Sequence, residues 1–257
     1  MTRNHRLKQS VAQWCFSKLP LETLCKAAAD LGIAGIDLLE EKDWATPAKY
    51  GLVCSMAYAD GGSIQEGLNR RSHHDGIVHG LSAAIPKAAK LGITNVISFF
   101  GNRAGMSDAE AIDNCVHALN RVTSVAEGEG VTVCLELLNS KVDHPDYHGD
   151  HTTFGVEIVK RVNSQRIKLL YDIYHMQIME GDVIRTIRAN HEWIGHYHTA
   201  GVPGRRDLDD AQELNWPAIC RAIVDTGFTG FLAHEFIPRN KENPIDSLRR
   251  AVAICDV

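Results

Sequence analysis

The chain has 257 residues, of which 44% are hydrophobic and 23% are charged, a composition typical of a globular protein with a full core. Its formal net charge of −5 offers no overall basic surface for a nucleic-acid backbone or an anionic membrane, and leaves only a local basic patch open. No apolar run approaches the ~20 residues of a membrane-spanning helix, and no apolar stretch of a secretory signal follows the polar segment Met1–Ser10. Seven cysteines form no Cys-x-x-Cys pair, which indicates free thiols and a cytoplasmic location.

Short β-like segments alternate with longer helical patterns, and no linker divides them, so we expect a single domain over residues 1–257. The predicted strands are Gln9–Cys15, Gly35–Leu39, Leu52–Tyr58, Asn95–Phe100, Thr132–Leu137, Lys168–Ile173, Gly195–Thr199 and Gly230–Phe236. The predicted helices are Leu21–Leu31, Trp44–Tyr50, His79–Leu91, Asp108–Glu129, Thr153–Val162, Asp182–Asn190, Trp216–Asp225 and Ile245–Ile254.

Four of these helices end in the same way, in the sequences DLGI, KLGI, GEGV and DTGF. A glycine in the left-handed conformation can close each helix, and the apolar residue after it can begin a strand. Eight strand–helix units in about 250 residues predict a single α/β domain, a closed (β/α)8 TIM barrel. The alternative is an open doubly wound sheet, but the first predicted strand is followed by no glycine-rich phosphate turn.

Polar side chains stand near the carboxyl ends of the last four predicted strands, where a barrel carries its chemistry. Strand alternation can point four of them inward at similar height: Glu136, Asp172, His198 and Glu235. Three carboxylates and an imidazole cannot converge at a barrel mouth without compensation, so we expect one divalent metal ion and no organic cofactor. The oxygen-rich set favours Mn²⁺, Mg²⁺, Co²⁺ or Fe²⁺, with Zn²⁺ as an alternative.

Each of these residues taken alone also has a structural explanation. A lone strand-end carboxylate, such as Glu136 or Glu235, is more often a loop cap or an ion-pair partner. His196 is expected to fill an inner layer of the barrel. The metal interpretation therefore depends on four groups that occupy the same relative position on consecutive strands.

The loops beyond the strands offer candidates for substrate binding. His175 is expected either to bind a substrate oxygen or to contact a carbonyl group as a loop histidine, and Arg205 can present its planar guanidinium to a carboxylate or hydroxyls. The segment Asn139–His151 is too polar for a core, which leaves a lid, a second metal site or a solvated loop. Four aromatic residues end the early strands and are expected in the pocket wall or the core: Trp14, Phe16, Tyr58 and Phe100.

Three sequence segments resemble the hydroxypyruvate isomerases, which belong to the xylose-isomerase-like barrel superfamily together with ketose 3-epimerases. The segments are DIYHMQIMEGD from Asp172, GHYHTAGVPGR ending at Arg205, and Glu213-Leu-Asn215. The resemblance covers nearly the whole chain. It implies metal ligands at Glu136, Asp172, His198 and Glu235, acid/base roles for Glu136 and Glu235, and substrate contacts from His175 and Arg205.

The sequence departs from the hydroxypyruvate isomerase pattern at three places. His198 stands where those enzymes often have glutamine, whereas the 3-epimerases have histidine. The last strand reads His-Glu-Phe around Glu235 in place of Glu-Tyr, and the 143–151 loop looks longer. These departures leave the fold and the metal site in place and bear on the substrate.

The resemblance implies a metal-dependent isomerase that converts hydroxypyruvate to 2-hydroxy-3-oxopropanoate (tartronate semialdehyde) through an enediolate. A ketose 3-epimerase is the alternative, and a non-catalytic metal-binding barrel is a more remote one. A multi-zinc apurinic-site endonuclease would need further histidines where Tyr58 and Phe100 stand. The expected partner is a small keto acid or ketose, without nucleic acid or membrane, and a homo-oligomer is left open.

Overall fold

A single parallel sheet of eight strands forms the framework of the protein. The computed structural model describes Asn4 and residues 6–257. Met1–Arg3 and His5, which belong to the segment Met1–Ser10 predicted not to be a secretory signal, lie outside the described residues. The strands are β1 (Lys8–Ala12), β2 (Gly35–Asp37), β3 (Val53–Cys54), β4 (Asn95–Ser98), β5 (Thr132–Glu136), β6 (Ile167–Asp172), β7 (Ile194–Thr199) and β8 (Phe231–His234). They follow the order β3-β2-β1-β8-β7-β6-β5-β4.

Backbone hydrogen bonds just beyond β3 close this sheet into a barrel. Ala57 donates its N–H to the carbonyl oxygen of Asn95 and accepts from the N–H of Ile97, both over 3.0 Å. The bridge joins the chain after β3 to β4, the two edges that the strand order leaves apart. The predicted (β/α)8 barrel is therefore confirmed, and the open doubly wound alternative is wrong.

The helices surround the barrel and differ from the predicted ones at several places. They are α1 (Leu21–Asp30), α2 (His74–Lys90), α3 (Asp108–Asn120), α4 (Thr123–Glu129), α5 (Thr152–Val162), α6 (Ile173–Met179), α7 (Val183–Asn190), α8 (Trp216–Asp225) and α9 (Pro244–Cys255). The prediction of one helix over Asp108–Glu129 is wrong, because the chain turns between α3 and α4. The predicted helix Trp44–Tyr50 is also wrong, since only short 3-10 turns occur there.

The glycine-terminated joints have the predicted conformation. All four glycines have a positive φ between 66° and 79°, and each follows the helix it was expected to close: Gly32, Gly92, Gly130 and Gly227.

In the part of the chain that the structure describes, no helix is long and apolar enough to cross a membrane.

Inside the barrel, an apolar layer lies beneath the polar side chains at the carboxyl ends of the strands. One small cluster forms this layer, with a residue from each of the first six strands or from the one or two positions after the strand: Ala12, Leu38, Met56, Ile97, Cys134 and Leu170. A second, larger core packs between the strands and the helices. Glu136 and Asp172 stand two residues beyond Cys134 and Leu170, so strand alternation places their carboxylates on the same face, above the apolar floor.

Candidate metal centre

Four strand-end residues meet at the carboxyl end of the barrel, as the strand pattern predicted. Glu136 and Asp172 are the last residues of β5 and β6, His198 lies in β7, and Glu235 follows β8 directly. One oxygen or nitrogen atom from each lies within 4.8 Å of the others, and all four side chains are buried. The structure therefore brings together the groups that could hold a metal ion.

His198 lies at the centre of this cluster. Its Nδ1 atom is 3.1 Å from Glu136 Oε1, 2.8 Å from Glu235 Oε2 and 3.9 Å from Asp172 Oδ2. Burial alone would lower the pKa of the imidazole, but the surrounding carboxylates, Glu235 first, raise it well above its usual range. The three distances show that Nδ1 is the ring nitrogen that faces the carboxylates.

The opposite side of His198 contacts a residue that the sequence analysis missed. Asp37, the last residue of β2, has Oδ2 2.9 Å from His198 Nε2 and Oδ1 3.2 Å from His196 Nε2, and it accepts a hydrogen bond from the Ser55 hydroxyl. Burial would raise its pKa, yet the two imidazoles lower it below the ordinary aspartate value. Its signal was available, because a charged residue interrupts the apolar run of a predicted strand.

The two glutamates of the cluster are in different electrostatic environments. Burial raises the pKa of Glu136, and the charge of Glu235 adds to the effect. Burial raises the pKa of Asp172 to about 8, again with a contribution from the other carboxylates. Glu235 has the opposite shift, because Arg205 and His198 lower its pKa by more than burial raises it. Environment thus separates the proton affinities of Glu136 and Glu235.

Arg205 reaches the cluster from the loop after β7. Its Nη2 atom is 2.5 Å from Glu235 Oε2 and 3.5 Å from Asp172 Oδ2. The guanidinium carbon lies over the ring of Trp14, 5.2 Å from its centroid, and over the ring of Tyr174, 5.5 Å from its centroid. The ion pairs and these cation–π contacts hold the guanidinium at the edge of the carboxylate cluster.

His175 also reaches the cluster, but from a helix. Asp172 ends β6 and caps α6, because its Oδ1 accepts a hydrogen bond from the His175 N–H at 3.1 Å. The prediction of a loop histidine that contacts a carbonyl group is wrong, since the ring Nδ1 contacts the Asn139 amide at 2.6 Å. Burial, followed by the Arg205 charge, lowers the pKa of His175 well below its usual range.

The first predicted strand ends early, and this moves Trp14 to the site. β1 stops at Ala12, and a 3-10 turn over Gln13–Phe16 follows. The Trp14 Nε1–H donates to Glu235 Oε1 at 2.7 Å. Phe16 and Phe100 are buried in the outer core, and Tyr58 packs against the interior cluster. Trp14 therefore contacts the candidate centre directly, whereas Phe16 and Phe100 do not line it.

The polar segment Asn139–His151 packs against the barrel. The Tyr147 hydroxyl donates to the Glu136 carbonyl oxygen at 2.9 Å and accepts from the Phe100 N–H at 3.0 Å. Among the described residues, no cluster of side chains close enough to hold a metal ion contains a member of this segment. A second metal site in the segment is therefore not supported. Its role as a lid stays a prediction.

A family model for xylose isomerase-like TIM barrels matches residues 25–255 of the chain. The chain belongs to this family. A related family member, the 2-oxo-tetronate isomerase of Cupriavidus necator, is 35% identical over 131 residues, 51% of this chain and 48% of the relative. The hydroxypyruvate isomerase of Escherichia coli is 28% identical over 161 residues, 62% of each protein. The matched regions span less than two thirds of these relatives' own lengths.

Solved structures share the xylose isomerase-like barrel over nearly the whole chain. A family 2 AP endonuclease from Brucella melitensis superposes with a TM-score of 0.84 at 24% identity, over 94% of this chain and 97% of that one. A D-psicose 3-epimerase from Clostridium cellulolyticum superposes with a TM-score of 0.81 at 18% identity, over 97% and 98%. At these identities the likeness establishes the fold alone.

Proposed function

We propose that this protein is a metal-dependent isomerase of small hydroxy-keto compounds, with hydroxypyruvate and 2-hydroxy-3-oxopropanoate as the substrate pair. The observation that carries the proposal is the buried cluster in which Glu136 and Glu235 both contact the Nδ1 atom of His198. The named activities of the related isomerases support the same reaction class.

The donor set of the cluster fits a divalent cation. Three buried carboxylates repel one another, and burial raises the pKa of Glu136 and Asp172, so a positive ion between them would offset both effects. Glu136, Asp172, His198 and Glu235 would hold it, and their oxygen-rich chemistry favours Mn²⁺, Mg²⁺ or Co²⁺, with Zn²⁺ as an alternative. When bound, the cation would polarise the substrate carbonyl and so acidify the neighbouring C–H.

The chain's own residues would then transfer the carbon-bound proton. One of Glu136 and Glu235 removes a proton from the hydroxyl-bearing carbon beside the carbonyl, which leaves an enediolate, and the other returns a proton to carbon. Delivery to the neighbouring carbon, together with transfer of the hydroxyl proton from one enediolate oxygen to the other, interconverts the ketone and the aldehyde. Trp14 and Arg205 hold Glu235 in place for this step, and His198 contacts both glutamates. His175 and Arg205 are our candidates for binding the remaining substrate oxygens.

A ketose 3-epimerase is a second candidate, because inversion results when one glutamate removes a proton from a carbon and the other delivers a proton to the opposite face of that same carbon. The observation that favours it is His198, which matches the histidine of the 3-epimerase pattern rather than the glutamine of many hydroxypyruvate isomerases. Product analysis by NMR separates the two reactions. An apurinic-site endonuclease is disfavoured, because Tyr58 and Phe100 offer no further imidazole ligands after β3 and β4. We propose no nucleic-acid or membrane partner, and a cytoplasmic location stays part of the proposal.

The test is exchange of the substrate C–H with deuterium in D₂O, followed by proton NMR with the Mn²⁺ removed after the reaction. We expect metal-loaded protein to exchange and to isomerise hydroxypyruvate, and Glu235→Gln and Glu136→Gln to lose at least about a hundredfold in rate. The exposed variant Glu22→Gln is the matched control, because it removes the same charge far from the cluster. Full activity of either active-site variant in a folded state, or of metal-free protein, would overturn the proposal.

A further inference from the structure

The buried ring of His175 has one nitrogen without a partner. Its Nε2 atom makes no hydrogen bond with any residue that the structure describes, although the side chain is completely buried. The closest carboxylate oxygen, Asp172 Oδ2, is 3.7 Å away, too far for a hydrogen bond. Because buried polar atoms are nearly always paired, an orphan atom beside the carboxylate cluster indicates a group that a ligand would satisfy.

The other ring nitrogen is held by Asn139, and the orientation of that amide is determined by its surroundings. Asn139 Oδ1 accepts hydrogen bonds from the backbone N–H groups of Val142 at 3.0 Å and Asp143 at 2.9 Å. The amide oxygen is therefore occupied by two donors, and Nδ2 must face the other way. There it donates to Asp143 Oδ2 at 2.6 Å and contacts His175 Nδ1 at 2.6 Å.

The contact between Asn139 and His175 decides where the imidazole proton lies. The Asn139 Nδ2 group can only donate, so His175 Nδ1 must accept and carries no hydrogen. A neutral ring then has its proton on Nε2, the atom without a partner. The Tyr174 hydroxyl donates to Asp143 Oδ2 at 2.8 Å, which fixes the carboxylate that Asn139 also contacts.

We infer that Asn139 is a positioning residue that fixes the Nε2–H tautomer of His175, so that this ring donates a hydrogen bond to an acceptor oxygen of the substrate. The inference rests on the proposed function for the identity of the substrate, and on the contacts of Asn139 for the position of the proton. The oxygen that it recognises is a carbonyl, carboxylate or hydroxyl oxygen that accepts at this point. A substrate group that can only donate is excluded there.

The position of the proton can be measured without any activity. Long-range proton–nitrogen NMR correlations of ¹⁵N-histidine-labelled protein distinguish a protonated from an unprotonated ring nitrogen, and His175→Gln identifies the His175 signals. We expect Nε2 to be protonated and Nδ1 to be unprotonated, both in metal-free protein and with Mg²⁺. A wild-type ring protonated at Nδ1 would overturn the inference.

A charge-conserving exchange tests the role of Asn139. In Asn139→Asp/Asp143→Asn, the carboxylate at position 139 still accepts from the two backbone N–H groups, but it can only accept from His175. We expect Nδ1 to gain a proton and KM for hydroxypyruvate to rise about tenfold, with a smaller change in kcat. The single variant Asp143→Asn keeps the Asn139 donor, so we expect the wild-type tautomer and a KM rise below about threefold.

The outcomes separate this inference from the proposed function. A double variant that keeps Nε2–H overturns the positioning role, and one that changes the tautomer without affecting KM overturns the recognition of substrate. If wild-type protein acts on no hydroxy-keto compound, the proposed function fails while the spectra still decide the tautomer, and the substrate part of the inference falls with it.

Discussion

At the scale of single residues, the contact between Asp37 and His198 decides which ring nitrogen faces the carboxylates. Two imidazoles keep the pKa of Asp37 low, so this buried carboxylate is ionised and accepts the Nε2–H of His198. The opposite nitrogen, Nδ1, then turns toward Glu136 and Glu235. A carboxylate behind a ligating histidine orients the ring and makes it a better ligand for a cation.

Replacing Asp37 should therefore weaken metal binding without removing a ligand. We expect Asp37→Asn to reduce the affinity for Mn²⁺ by about ten- to a hundredfold, measured by isothermal titration calorimetry, because the neutral amide orients and polarises His198 less. Asp30→Asn, at an exposed position, is the control. An Asp37→Asn affinity equal to that of wild type, in folded protein, would contradict this role.

The strand-end residues were predictable and their connections were not. Alternation depends only on the order of residues along a strand, so Glu136 and Asp172 could be placed on the inner face from the sequence. The pairing of Arg205 with Glu235 joins two loops that no local pattern relates. The charge of Asp37 inside a predicted strand was visible in the sequence, but its contact with His198, 161 positions away along the chain, was not.

At the scale of elements, α6 connects the site to the next layer of the fold. Asp172 ends β6 and caps α6 at once, with no turn residue between them to predict a helix. At the far end of α6, Glu180 accepts hydrogen bonds from the Thr152 N–H and hydroxyl, both at 2.7 Å. The N-cap residue of α5, His151, makes no side-chain cap, so Glu180 supplies one from outside that helix.

Removing this external cap should destabilise the protein. We expect Glu180→Ala to lower the free energy of unfolding by about 1–2 kcal/mol, and Glu180→Gln to lower it less because its amide oxygen still accepts. Urea denaturation followed by circular dichroism measures both. Glu129→Ala, at an exposed helix end, is the comparison. If Glu180→Ala and Glu129→Ala have the same effect, the cap contributes nothing beyond the loss of a surface glutamate.

At the scale of the whole molecule, the barrel was predictable because its unit repeats. Eight strands separated by helices, four of them ended by left-handed glycines, leave few alternatives for a chain of this length. The split between α3 and α4 was not predictable, since no glycine or proline marks it. There the Thr123 hydroxyl donates to the Leu119 carbonyl oxygen at 2.9 Å. The single-domain organisation of residues 1–257 stays a prediction.

The closed barrel also concentrates buried acids at one end, and this makes stability depend on pH. Burial, with a contribution from the neighbouring carboxylates, raises the pKa of Asp172 from the ordinary aspartate value of 3.8 to about 8 in the folded protein. Between these values the folded state holds a proton that the unfolded chain has released. The contribution of Asp172 to stability is therefore present at low pH and is lost as the pH rises toward about 8.

As the pH rises, we therefore expect the metal-free protein to lose stability and the affinity of the protein for metal to increase. With a chelator present, wild type should lose stability relative to Asp172→Asn as the pH rises from about 5 to about 8, measured by urea denaturation. Affinity for Mn²⁺ should rise over the same range, because a ligating carboxylate must release its proton, and calorimetry in buffers of different ionisation enthalpy would detect that proton. If the stabilities of wild type and Asp172→Asn have the same pH dependence, or if metal binds without proton release, Asp172 is already ionised in the metal-free folded protein and this prediction is wrong.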